Sequence, residues 1–116
     1  MSNLNLKAVR KFYGLSATDM SRICGFGPNQ WRLYENGEAS PNSSNYNLIV
    51  LVVDPYSFQR LLKVLSDVDR VAMGKRYDMA LQKTKNVCWD LENLVEASRR
   101  DLVQAWRNSL KEPEEV

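Results

Sequence analysis

Apolar residues recur at three- and four-residue steps along most of this chain, the spacing that lines one face of a helix. Leu6, Val9 and Tyr13, with Phe12 beside them, predict a short helix over residues 4–13, stopped by Gly14. Met20, Ile23 and Cys24 predict a second over residues 17–24. Ser16 and Asp19 stand three residues apart at its start, a capping-box spacing in which each side chain satisfies the other's free backbone N–H. Gly25 ends that helix, where a residue without Cβ turns cheaply. Pro28 opens a third, over residues 28–36, at the position where a missing N–H does no harm, and Gly37 closes it. Trp31 and Tyr34 align with Met20 and Ile23, which assigns both rings to the core rather than to the surface.

Residues 38–45 are polar and contain Ser40-Pro41, so they form a loop. Asn42, Ser43 or Ser44 can cap the helix that follows through Tyr46, Leu48, Ile49, Leu51, Val52 and Val53. The β-branched run there also fits a strand, but a lone strand would have no partner, so a helix is preferred. Asp54-Pro55 is a cap followed by proline, and a fifth helix carries Phe58, Leu61, Leu62 and Leu65. Residues 66–74 read as a junction. Residues 75–111 contain neither Gly nor Pro, and Tyr77, Leu81, Cys88, Leu91, Val95, Leu102, Ala105 and Trp106 keep spacings of three, four or seven. They predict one long helix, or two broken near Ser98, where Ser98 and Asp101 repeat the capping-box spacing. Thr84 and Ser98 interrupt the apolar seam and argue against a strict coiled coil. The tail at 112–115 is expected to fray. The division expected is a five-helix domain at residues 1–66 and a helical extension at 67–116.

Composition narrows the chemistry. At 116 residues, 44% of them hydrophobic, the chain suffices for one domain with a real core, plus the extension. No run of about 18 apolar residues is present, so no membrane span is expected. Met1-Ser2-Asn3-Leu4 lacks the basic and apolar regions of a signal peptide, so none is expected, and a cytoplasmic protein is the expectation. Cys24 and Cys88 lie far apart on helix faces and read as reduced core thiols. There is no histidine, which removes Ser-His-Asp and Cys-His catalysis and imidazole metal sites. Two isolated cysteines cannot make a four-ligand zinc site. Gly25-Phe26-Gly27 lacks the lysine and preceding strand of a phosphate loop. The expectation is therefore no enzyme, no metal and no cofactor. Net charge is only +2, a weak basic footprint.

A helix, a glycine turn and a second helix within residues 14–37 match the helix-turn-helix plan, in which the second helix enters a DNA major groove. The segment resembles the helix-turn-helix of the Cro/CI-type (XRE) repressors in Gly14-Leu15, the small Ser21, Gly25 and Glu35-Asn36-Gly37. GFGPNQWRLYENGEASPNSSN is also similar to the DNA-binding half of antitoxins from toxin–antitoxin operons. The likeness covers roughly residues 4 to 65. It implies an all-α, lambda-repressor-like fold of five helices, followed here by a long helix or helical pair. It further implies a sequence-specific regulator that binds double-stranded operator DNA. Some such antitoxins add a zinc-binding half with paired cysteines, of which this chain has no counterpart.

In that plan Pro28, Asn29, Gln30 and Arg32 face base edges. Asn and Gln can bond adenine bidentately, and Arg suits guanine or a phosphate. Asn29 sits where the resembled antitoxins place a base-reading asparagine. Leu33 stands where the family often has a polar residue; it suits a thymine methyl or simple packing. Thr18 and Arg22, with Ser40, Asn42, Ser43 and Ser44 after the motif, are candidates for phosphate contact or for plain helix capping. Related repressors pair an arginine of the first helix with the glutamate of the ENG end, so Arg10 and Glu35 are expected to form a structural salt bridge. One recognition helix covers a half-site, so either residues 67–111 pair two copies into a homodimer, or these helices fold back on the first five and extend one core. The rival reading is a protein-interaction module whose extension binds a toxin or another partner.

Overall fold

The computed structural model describes residues 5–110, so the expectations for Leu4, for the first residues and for the tail at 112–115 lie outside the described residues. The described residues form seven α-helices and no strand. They are α1 (Leu6–Phe12), α2 (Ala17–Cys24), α3 (Gln30–Glu35), α4 (Ser43–Val53), α5 (Pro55–Lys63), α6 (Asp67–Met73) and α7 (Lys75–Leu110).

Local chemistry fixes most of the boundaries. Ser16 and Asp19 make the capping box: Asp19 N–H donates to Ser16 Oγ and Ser16 N–H to Asp19 Oδ2, both at 3.0 Å. Gly25 then closes α2 in the left-handed region at φ +71°. Its N–H donates to Arg22 O at 3.2 Å and the N–H of Phe26 reaches Ser21 O at 2.9 Å, so two end carbonyls are satisfied at once. Asn42 caps α4 by accepting from Asn45 N–H at 2.8 Å, and Asp54 caps α5 ahead of Pro55. Within α4, Ile49 and Val52 are buried while Val50 and Leu51 are exposed. That three-residue spacing is helical, as preferred over a strand.

Two expectations are corrected, and one open choice is decided. First, Pro28 does not open α3. Gln30 N–H donates to Gly27 O at 3.0 Å, so Pro28 occupies the second position of a turn, where its fixed φ fits equally well, and the helix starts two residues later. Second, residues 66–74 are not a junction but α6, capped by Ser66, which accepts from Asp69 N–H at 3.2 Å. Of the two alternatives for residues 75–111, the single long helix is the one formed: α7 is continuous for 36 residues, and Ser98 lies exposed in its interior with no break or cap there. Helix-forming residues on both sides outweigh a serine whose side chain water can solvate.

The core also runs past Ser66. Leu6, Tyr13, Met20, Trp31, Ile49, Phe58 and Leu62 share one buried cluster with Met73, Tyr77 and Ala80. Tyr13 and Phe58 stack with ring centroids 4.4 Å apart. α7 packs along α5, where Tyr77 Oη donates to Leu62 O at 2.9 Å and Tyr56 Oη to Cys88 O at 3.3 Å. No packing boundary therefore falls at residue 66: α6 and the first half of α7 complete the wall of the same core. Thr84, expected to interrupt the seam, is fully buried; its hydroxyl donates to Leu81 O at 2.8 Å, which satisfies it inside the helix. Both cysteines are free and buried, and burial pushes the Cys24 thiol up to about 12. A thiol so placed stays protonated and unreactive.

Beyond Cys88, α7 leaves the domain. A 36-residue helix is about 54 Å long at 1.5 Å per residue, and the molecule measures 72 × 31 × 20 Å. Leu91, Leu94, Leu102 and Trp106 are exposed on the projecting part. The Val95 side chain lies outside what the structure describes. No described helix is long and apolar enough to cross a membrane.

Candidate functional site

The unit formed by α2, the Gly25 turn and α3 is held by polar bonds at three points. Buried Ser21 accepts from Trp31 N–H at 3.1 Å, which draws the start of α3 onto α2. A larger residue at 21 would both block that approach and leave the amide unpaired. At the other end of α3, Glu35 takes two bonds from Arg10 of α1, from Nε at 2.9 Å and from Nη2 at 2.6 Å. The same carboxylate accepts from Trp31 Nε1 at 3.0 Å. The Glu35 side chain is only 6% exposed and that of Arg10 19%. The Arg10 hydrogen bond is the main reason the Glu35 carboxyl titrates below its ordinary value. Third, Tyr34 Oη accepts from Asn45 Nδ2 at 2.8 Å, and its ring meets Phe26 edge-on, tying α3 to the start of α4.

These bonds bury one side of α3 and leave the other in water. Trp31 and Tyr34 are core residues; Pro28, Asn29 and Arg32 are exposed, and Gln30 and Leu33 half-buried. Asn29 precedes the first residue of α3, yet its side chain makes no capping bond. Its amide is therefore not committed to α3's own backbone.

The outlying candidates divide. Thr18, Ser40 and Ser43 are exposed. Asn42 is taken up in capping α4, so its oxygen serves the fold. Arg22 is held by Asp19, Nη1 to Oδ1 at 3.0 Å.

Asp19 does more than its place in the capping box indicates. Its carboxylate is fully buried and also receives Arg76 of α7, from Nε at 2.7 Å and Nη2 at 3.1 Å. Burial pushes its pKa up, but the bonds from Arg76 and Ser16 outweigh burial and leave it below the ordinary value. A fork of this geometry is strong and directional. It fixes the root of α7 against the first helix of the candidate unit. Nothing in the local pattern could announce it, because the partners lie 57 residues apart and Arg76 sits in an ordinary charged stretch.

The arrangement presents amide and guanidinium donors on a rigid helix edge. Among the described residues no group of histidine, cysteine and carboxylate side chains could hold a metal ion. Comparison with protein-family models, with curated proteins and with solved structures gives no significant match.

Proposed function

We propose that this chain is a sequence-specific DNA-binding regulator of the helix-turn-helix type, in which the outer face of α3 reads bases in the major groove. One observation carries the reading. α3 is anchored to α1, α2 and α4 by its inner residues, while Asn29 and Arg32 stay exposed and Asn29 makes no capping bond. A rigid element with uncommitted amide and guanidinium groups is what base-edge recognition requires. The exposed Thr18, Ser40 and Ser43 are suited to the phosphates on either side. Arg22, tethered to Asp19, can offer its remaining N–H groups in a fixed direction.

The test begins by selecting bound sequences from random double-stranded DNA, which supplies an operator. Asn29→Ala should then weaken operator binding by about 1–3 kcal/mol and leave binding to unrelated DNA unchanged. Equal loss on every sequence would rule out base readout by Asn29. A second reading, a protein-interaction module, draws on the exposed apolar side chains of outer α7. It is compatible with the first, and it concerns the far end of the molecule.

A further inference from the structure

Tyr77, Ala80, Thr84 and Cys88 form the stripe by which α7 packs on its own domain, and all are buried. The same stripe continues beyond the domain through Leu91, Leu94, Ser98, Leu102 and Ala105 at unbroken three- and four-residue steps. Leu94 is 63% exposed there and Leu102 71%. One helix face thus changes from core to open water at Cys88 with its spacing kept and Ser98 as its polar interruption, and apolar residues aligned in water mark an interaction surface.

The charges along this segment are sorted by sign. Asp90, Glu92 and Glu96 come first; Arg99, Arg100 and Arg107 follow, with Asp101 the exception among them, and all are exposed. Glu96 and Arg99 approach at 3.7 Å on the same helix, a loose exposed pair worth little. A second copy laid parallel would set acid beside acid and base beside base. Laid antiparallel, it sets the acidic half of one helix against the basic half of the other. When Leu91 faces Leu102 of the second copy, Glu92 falls beside Arg99 of that copy, and the two-fold axis repeats both contacts. The overlap ends where each copy's own domain begins.

We infer that outer α7, over residues 89–106, pairs antiparallel with the same segment of a second copy of this chain. The charge sorting selects a copy of itself, since the segment is its own complement only when reversed. The inference does not depend on DNA, and its test contains none. Little more than two heptads overlap, so association is weak.

Sedimentation equilibrium of the full chain should give a monomer–dimer equilibrium. Leu102→Asp should abolish it with the thermal melt unchanged, because Leu102 is exposed. Glu92→Arg should weaken it roughly tenfold by replacing two attractions with two repulsions, and adding Arg99→Glu should restore it. For orientation, a tagged copy carrying Leu91→Cys is mixed with one carrying Leu102→Cys and oxidised; the native cysteines are buried. The mixed disulfide between the two should predominate. A monomer up to about 500 μM, an oligomer other than a dimer, or predominance of the disulfide between two copies of Leu91→Cys would each overturn the proposal.

Discussion

Glu35 and Asp19 hold the molecule together at two points, and their environments set different sensitivities. Removing the Glu35 carboxylate strands Arg10 and takes the acceptor from Trp31 Nε1. A fully buried pair loses about 3–5 kcal/mol when one partner goes. Arg10 keeps some solvent, so Glu35→Ala should destabilise by roughly 2–3 kcal/mol in chemical denaturation; a change near zero would mean that the pair merely decorates the surface. Both carboxylates titrate below their ordinary values in the native state. The unfolded chain therefore takes up protons at higher pH than the folded one. Their stabilisation is complete above about pH 5 and is lost as pH falls through about 4 towards the native values. Urea midpoints measured from pH 6 down to 3 should fall accordingly, and Asp19→Asn should flatten that fall; parallel curves for the two proteins would contradict the assignment. The Arg10–Glu35 pair was anticipated through the resemblance to repressors that pair an arginine of the first helix with the glutamate of the ENG end, and the two side chains do meet. The Asp19–Arg76 fork was not anticipated, because it depends on a tertiary approach that no local spacing encodes.

Among the elements, legibility followed the strength of the local signal. The Ser16–Asp19 box and the glycines at 14, 25 and 37 marked ends correctly, because each is a backbone requirement met by a particular residue type. All three glycines take φ between +71° and +76°. Pro28 misled because one fixed φ serves both a first helical residue and a turn, and only the hydrogen bond from Gln30 N–H to Gly27 O tells them apart. α6 was missed for a different reason: its seven residues bury little besides Met73, so no periodicity stands out. For Gly25 the structure separates backbone from packing. A Cβ added there meets no atom within 4 Å, so only the left-handed φ opposes it. Gly25→Ala should therefore destabilise by about 1–2 kcal/mol, the penalty of that conformation alone. Gly25→Asn should be milder, since asparagine tolerates the region. A thermal melt of both variants decides this, and equal losses would place the penalty in packing after all.

On the scale of the whole molecule, α7 has two parts with different physics, and truncation separates them. Ending the chain after Ser66 removes Met73, Tyr77 and Ala80 from the core, the Tyr77 bond to Leu62 and the Arg76 fork on Asp19. Several large side chains would then face water, at about 2–5 kcal/mol for each large buried contributor lost. That exceeds what a small domain holds in reserve. A 1–66 fragment should therefore lack a cooperative melt, although the sequence alone suggests a domain ending there. Ending the chain after Asp90 instead keeps Thr84, Cys88 and the Tyr56 contact, and the described side chains it removes are exposed already. This longer fragment should melt within a few degrees of the full chain. It should sediment as a monomer at every concentration, because the self-complementary stripe has gone. If the chain binds an operator as proposed, that binding should persist on a half-site but lose the affinity that a paired second copy would add on an inverted repeat. If the 1–66 fragment melts cooperatively, the fork and the Tyr77 bond are ornaments on a domain already complete. If the 1–90 fragment still dimerises, the contact between copies lies on the domain and not on outer α7.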